Sequence, residues 1–177
     1  AFFFKSAVFA IVFEVFKFVR RQRFFCCLLH KRKEQLIMRK KVIIDCDPGI
    51  DDSLAIMLAL SCDQIEVLGI TIVCGNSPTE MGAGNAAKVL RQMNRLDIPI
   101  FTGERTPLKR DYVNALDTHG ADGLGESFLE PVENFSFHTD AVSFLEETIL
   151  NTHCSVIALG PMTNLARLIQ KNPAAFA

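Results

Sequence analysis

Residues 40–52 read KKVIIDCDPGIDD, and this stretch decides the fold. Val42–Ile44 is a short, apolar, β-branched run between two lysines and an acidic turn, which is typical of a buried strand in a parallel sheet. Pro48 and Gly49 end that strand. Residues 51–60 then begin with two aspartates and carry several leucine, isoleucine and methionine side chains, as a buried helix does. The stretch therefore predicts a strand, a tight turn and a helix.

The same alternation continues along the rest of the chain. Further strand-like runs lie at residues 65–73, 98–101 and 155–159, and further helix-like runs at 79–94, 140–150 and 163–170. Strands that alternate with helices at this spacing form βαβ units around a parallel sheet. We therefore expect an α/β fold with an open, mostly parallel sheet and flanking helices. We expect this sheet to be truncated, because the chain stops after a helix without a closing strand.

The charge of the chain is divided between two parts. The formal net charge is −1, but residues 1–41 carry 11 basic and 2 acidic side chains, and the remaining residues carry 8 and 18. We interpret residues 1–37 as a basic, Phe-rich leader outside the fold and residues 38–177 as the working part, with Met38 as a natural start. The alternatives are a peripheral membrane or targeting role for the leader and a folded element. We expect no membrane span, because charged residues interrupt the apolar run of the leader.

The acidic main body favours a cation as ligand and gives no case for nucleic-acid binding. The six cysteines include no C-x-x-C pair and no disulfide framework. We therefore expect reduced thiols and a cytoplasmic location. Residues 102–137 are rich in Gly, Pro, Asp and Thr and follow no sustained period, which indicates a functional irregular segment.

Polar segments follow three of the predicted strands. They are Asp45–Asp52 after the first strand, Cys74–Asn76 after the second and Leu159–Asn164 after the last. Because the carboxyl ends of parallel strands meet at one edge of the sheet, where ligands bind, we expect these segments to lie close together.

Asp45–Asp52 holds four carboxylates within eight residues. Their mutual repulsion needs an offset, and a helix N-terminus supplies only up to about 1 kcal/mol per charge. A hard cation that prefers oxygen ligands, such as Ca²⁺, would supply more. No His-x-x-x-His or Cys pair favours a softer metal. The alternative is a solvated acidic helix cap.

Asp45–Asp52, with the following Leu54-Ala55, resembles the N-terminal signature of the inosine–uridine-preferring nucleoside hydrolases. Three later segments are similar to that family's next landmarks, in the same order: Val73–Asn76, Thr118–Gly125 and Leu159–Asn164. The resemblance covers residues 40–177. It implies an enzyme that uses a Ca²⁺-bound water to hydrolyse the N-glycosidic bond of a small-molecule ribonucleoside, and a homo-oligomer when complete.

The resemblance also implies roles for single residues. Asp47, Asp52 and the backbone carbonyl of Leu159 would be metal ligands, and Asp51 would be the general base that also contacts substrate.

Three further residues would support this site. Asn76 would hydrogen-bond the ribose, His119 would line the base pocket, and Asp45 would hold the loop from behind the metal ligands. Thr163-Asn164 is expected to cap the last helix rather than to touch substrate.

Family members are nearly twice as long as residues 38–177, and their later half supplies a further Asp ligand, ribose-binding residues and a His acid. We therefore expect this chain alone to bind Ca²⁺ weakly and to hydrolyse no nucleoside measurably. Two other functions stay open. One is a Mg²⁺-dependent D-x-D phosphohydrolase, and the other is a non-catalytic fragment that binds metal or ribose.

Overall fold

The computed structural model describes residues 38–176, so the leader at 1–37 lies outside the described residues. The strands are β1 (Lys40–Cys46), β2 (Ile65–Ile72), β3 (Ile100–Thr102), β4 (His138–Thr139) and β5 (Ser155–Ala158). The helices are α1 (Ile50–Ser61), α2 (Thr79–Gln92), α3 (Leu116–His119), α4 (Ala141–Asn151) and α5 (Thr163–Lys171), followed by a 3-10 turn at Pro173–Phe176.

The strands of the described part form one parallel sheet in the order β4-β3-β2-β1-β5. This confirms the predicted fold class. The chain moves outward from β1 to β4 on one side, and β5 then returns to the other side of β1. The strand order therefore reverses at β1, and the crevice outside the carboxyl end of such a strand is where open α/β sheets bind ligands.

β1 is buried on both faces of the sheet. Val42 and Ile44 belong to the apolar core that α1 and α2 cover, whereas Ile43 packs with Leu145 and Leu168 from α4 and α5. Alternate side chains of a strand point to opposite faces, so the continuous apolar run of β1 serves two layers of helices at once. This double burial fixes the strand that carries the acidic turn.

The observed elements match the predicted ones except for two short ones, β4 and the single-turn helix α3, which were not predicted. β4 has only two residues, His138 and Thr139, which pair with Phe101 and Thr102 of β3. The His138 ring also stacks on Phe101, with ring centroids 4.8 Å apart. A strand of two residues is too short to show a period. The segment before it, expected to be irregular, contains only the single-turn helix α3.

The four cysteines between residues 38 and 176 are free thiols, and Cys46 and Cys74 are buried. None of the helices in this part of the chain combines the length and the apolar character that crossing a membrane requires.

Candidate functional site

The turn between β1 and α1 presents three acidic side chains in different surroundings. Ser53 ties the turn to the first helical turn, since its backbone N–H and its hydroxyl both donate to the Gly49 carbonyl, at 3.1 and 2.6 Å. The Asp52 carboxylate turns inward and accepts from the Gly49 amide at 3.4 Å. Asp51 points outward, and its side chain is 81% exposed. Adjacent residues of one helix thus give one buried and one exposed carboxylate, and Asp47 is buried before them.

Asn76 joins two of these acidic residues. Its backbone N–H donates to Asp47 Oδ2 at 2.6 Å. Its side-chain amide donates to the Asp47 carbonyl at 3.2 Å and to Asp52 Oδ2 at 3.3 Å. The ends of β1 and β2 therefore meet at one edge of the sheet, as their parallel pairing predicts.

Asp47 and Asp52 hold their protons more tightly than ordinary aspartates. Burial raises the pKa of Asp47 to about 7, with the negative charges of Asp52 and Asp51 adding to the rise and the Asn76 amide opposing it. Burial also raises the pKa of Asp52, again with a contribution from the Asp51 charge and opposition from the Gly49 amide. Both pKa values rise because a buried negative charge is costly, and a bound cation would offset that cost.

Asp45 lies beneath these groups and is fully buried. Its Oδ1 accepts from Thr71 Oγ1 at 2.6 Å and from Asn164 Nδ2 at 2.8 Å, whereas its buried Oδ2 has no hydrogen-bond partner. Burial raises the pKa of Asp45 to about 6 against the lowering effect of these two bonds. Its backbone carbonyl accepts from the Leu159 amide at 2.8 Å. Asp45 thus connects the acidic turn to the segment after β5.

The prediction that Thr163-Asn164 caps α5 is wrong. The residue at the N-cap is Met162, and no side chain caps this helix. Asn164 is instead fully buried, where its amide nitrogen donates to Asp45 and to the Ile72 carbonyl and its Oδ1 accepts from the Glu104 amide at 2.9 Å. Polar groups at buried strand ends need hydrogen-bond partners, and Asn164 bonds to them instead of capping the helix. The available signal was an Asn just after a Gly-Pro turn at the carboxyl end of a strand.

His119 lies at the end of α3 and reaches the start of α1. Its Nδ1 accepts from the Ile50 amide at 3.2 Å, which requires this nitrogen to be unprotonated. The same nitrogen lies 4.0 Å from Asp51 Oδ1, and the His119 side chain is 12% exposed. The long irregular segment therefore brings His119 beside the exposed acidic residue of the turn.

Asp122 and Asn85 were missed by the sequence analysis. The Asp122 carboxylate accepts from the amides of Leu124, Glu126 and Ser127 at 2.8, 2.8 and 3.1 Å. Asn85 of α2 donates to the Asp122 carbonyl at 2.9 Å and to the Pro48 carbonyl at 3.4 Å. The loop that carries His119 is therefore fastened to the acidic turn. An aspartate in a Gly-rich loop often hydrogen-bonds the backbone two residues further on, and this turn signal could have indicated Asp122.

The predicted metal ligands offer only oxygen atoms. Asp47, Asp52 and Leu159 all lie at the carboxyl edge of the sheet, and Leu159 directly follows β5. Across residues 38–176, no three His, Cys, Asp or Glu side chains come close enough together to form a metal site by themselves. Two buried carboxylates with raised pKa and a neighbouring backbone segment nevertheless fit a hard cation. Such a cation can complete its coordination shell with backbone carbonyl oxygens and water.

A cleft of about 560 Å³ opens beside the acidic turn. Its lining includes Gly75, which packs directly against the Asp47 carboxylate, together with Pro161 and with Tyr112 from the long irregular segment. Burial raises the pKa of the Tyr112 hydroxyl, and the nearby Cys74 and Asp47 add to this rise. The volume lies within the range of small-molecule sites.

Replacing Gly75 with alanine should destabilise the chain by about 1–3 kcal/mol, the usual cost of overpacking. A Cβ at Gly75 would overlap the Asp47 carboxylate and lie 2.9 Å from Pro161 Cδ. Gly84→Ala is the matched control, because no atom lies within 4 Å of its new Cβ and alanine favours the α2 helix. Urea unfolding of both variants measures the difference. Equal stability of the two would contradict the close packing of Gly75 on Asp47.

Comparison with known proteins gives one consistent result. A profile of the inosine-uridine preferring nucleoside hydrolases matches residues 42–177. Uridine nucleosidase 1 of Arabidopsis thaliana is 38% identical over 136 residues, which are 75% of this chain and 40% of that protein.

Two solved structures are similar to this chain. A plant nucleoside hydrolase has a TM-score of 0.73 and 37% identity, over 77% of this chain and 44% of its own. An inosine–guanosine nucleoside hydrolase has a TM-score of 0.73 and 32% identity, over 78% and 44%. The chain thus spans less than half the length of the relatives it matches.

Proposed function

This chain belongs to the inosine-uridine preferring nucleoside hydrolase family, and from that membership we propose that its acidic turn is the metal-binding part of a ribonucleoside-hydrolysing site. The reaction is hydrolysis of the N-glycosidic bond, which yields ribose and the free base. The observation that carries the proposal is the contrast on one turn between the buried carboxylates of Asp47 and Asp52 and the exposed carboxylate of Asp51.

The two buried carboxylates and the Leu159 carbonyl are proposed to hold a Ca²⁺ ion. When bound, this ion would neutralise the buried charges, bind the ribose hydroxyls and lower the pKa of a water molecule. The Asn76 contacts described above keep Asp47 and Asp52 side by side without using a cationic side chain.

Asp51 is proposed as the general base. Its carboxylate faces solvent at the same turn and can accept a proton from the attacking water. The water oxygen forms a bond to the anomeric carbon while the bond from that carbon to the base nitrogen breaks. The electron pair leaves with the base, whose nitrogen takes up a proton, so that water is added across the bond. Asn76 would hydrogen-bond the ribose. His119 uses Nδ1 to accept from Ile50, so Nε2 would be the nitrogen that contacts the base.

The burial of Asp45 argues against the phosphohydrolase alternative. A D-x-D phosphohydrolase needs one aspartate as nucleophile and the other as acid or base, but the Asp45 carboxylate is fully buried and bonded to Thr71 and Asn164. It has no access to a phosphate ester. Asp45 is therefore proposed to support the site from behind the metal ligands.

The identity of the base stays open within this proposal. One relative is named a uridine nucleosidase and another an inosine–guanosine nucleoside hydrolase, so membership of the family does not select a base. Ribose release from uridine, cytidine, inosine and guanosine would rank them. A cytoplasmic location and a homo-oligomeric whole protein are further predictions.

Asp47→Asn and Asp52→Asn should each weaken calcium binding on the order of 100-fold, because each removes a charged ligand. Isothermal titration calorimetry of the 177-residue chain with CaCl₂ and with MgCl₂ measures this. Asp63→Asn, an exposed acidic residue in the turn before β2, is the control and should bind like the parent. Calcium uptake that all three variants retain would contradict the proposed ligands.

Ribose release tests the reaction itself. The chain alone is expected to release no measurable ribose. A chimera in which residues 42–177 replace the matching segment of the Arabidopsis uridine nucleosidase should release it, and chelation should stop it. A folded chimera that binds calcium and yet hydrolyses none of the four nucleosides would favour a non-catalytic binding role.

A further inference from the structure

We propose that Asn164 is a positioning residue that holds the acidic turn and the Leu159 segment in one arrangement, so that the metal ligands on both converge. The proposal rests on the proposed function, because it concerns the same metal site. Asn164 does not itself face the ion or the substrate. It acts through Asp45, Leu159 and Asp47.

The contacts of Asn164 reach three separate strand ends. Its Nδ2 donates to Asp45 Oδ1 at 2.8 Å, near the carboxyl end of β1, and to the Ile72 carbonyl at 3.2 Å, at the end of β2. Its Oδ1 accepts from the Glu104 amide at 2.9 Å, just beyond β3. The side chain is fully buried, so losing one of these bonds would leave a buried polar group without a partner, which is unfavourable in free energy.

Asp45 forms hydrogen bonds with both ends of the segment that follows β5. Its backbone carbonyl accepts from the Leu159 amide at 2.8 Å, and its carboxylate accepts from Asn164, five residues later. Between these two points lies Gly160, where an added Cβ would be only 2.5 Å from Asp47 Oδ1. A shift of Asn164 would therefore move the Leu159 carbonyl and disturb Asp47, which are proposed ligands from different strands.

Gly103 has no side chain, and the Asn164 amide occupies the space beside it. A Cβ at Gly103 would overlap Asn164 Oδ1 and lie 2.7 Å from Nδ2. The next residue, Glu104, also accepts from the Cys74 amide at 2.9 Å through its carbonyl, which continues the connection to the turn that holds Asn76. Gly103→Ala therefore displaces Asn164 without removing any of its polar atoms.

Calcium titration of the full chain tests this role. Asn164→Ala and Gly103→Ala should each lower calcium affinity by about 10- to 100-fold, the usual effect of losing a partner behind a metal ligand. Asn172→Ala is the matched control, because Asn172 ends the same helix and bonds Glu146 at 3.0 Å away from the site. It should lose some stability and keep the parent affinity, which separates positioning from general stability.

Circular dichroism before each titration identifies the folded variants. If Asn164→Ala does not fold, Gly103→Ala decides. Parent-like affinity in a folded variant, while Asp47→Asn weakens binding as expected, would overturn the role of Asn164 and leave the proposed function standing. A parent chain that takes up no calcium would overturn the proposed metal site and this inference with it.

Discussion

Asp51→Asn in the chimera should lower the rate of ribose release by about 10²- to 10⁴-fold, the usual contribution of a general base. Calcium affinity should change little, because the Asp51 side chain is 81% exposed and is not one of the proposed ligands. Asp51→Asn and Asp47→Asn are expected to differ in their effect on calcium affinity because the Asp51 carboxylate faces solvent, whereas the Asp47 carboxylate is buried in the protein.

Ribose release and calcium titration on the same variant measure the two effects separately. Asp63→Asn is again the control and should change neither. An unchanged rate would exclude Asp51 as the base. Loss of calcium binding together with activity would instead make Asp51 a metal ligand, and the proposed division of roles would be wrong.

Without calcium, the free energy of unfolding should fall as the pH rises from about 4 to about 7. The pKa of Asp45 rises from 3.8 to about 6 and that of Asp47 from 3.8 to about 7, both chiefly through burial. Between the unfolded and folded values the folded chain binds more protons, so each increase in pH favours unfolding. At about 1.4 kcal/mol per pKa unit, the total is on the order of several kcal/mol.

Three carboxylates near the surface oppose this trend weakly. Hydrogen bonds from Arg95, Ser143 and Lys171 lower the pKa of Asp97, Asp140 and Glu146, so their contributions grow as the pH rises through the acidic range. Exposed pairs contribute little, so the buried carboxyls should decide the slope.

Urea unfolding in chelator at about pH 5 and about pH 8 measures the slope. Asp47→Asn should flatten it and should be more stable than the parent at the higher pH. Calcium at about 100 times its dissociation constant should restore about 2.7 kcal/mol to the parent at that pH. Stability that rises with pH in chelator would contradict the buried, unneutralised carboxyls.

The sequence predicted those features that one short segment determines. The run from β1 through Asp52 contains its own strand, turn and helix, so its local pattern was sufficient to predict the elbow and the burial of β1. Asn76 was predicted at the same edge because parallel strands end together. The number and order of the strands needed the structure, because β4 has only two residues.

The rest of the site depends on contacts between residues far apart in the chain. Asn164 looked like a helix cap because its local sequence fits one, but Asp45, 119 positions away, binds it. His119 reaches Ile50 across 69 positions. Local sequence carries no record of such pairs, which explains both the wrong cap and the missed role of Asn85, whose partners lie 37 positions away.

The position of β5 beside β1 has a consequence for how the molecule folds. Val42 pairs with Ser155, so β1 has no partner on that side until a strand about 110 residues later in the chain has been synthesised. Contacts of such long sequence separation slow folding, because loop closure is costly before any pairing rewards it. We expect the β1–α1–β2 unit to form early and the docking of β5 to be the slow step. The acidic turn would then exist before Leu159 and Asn164 arrive to complete it.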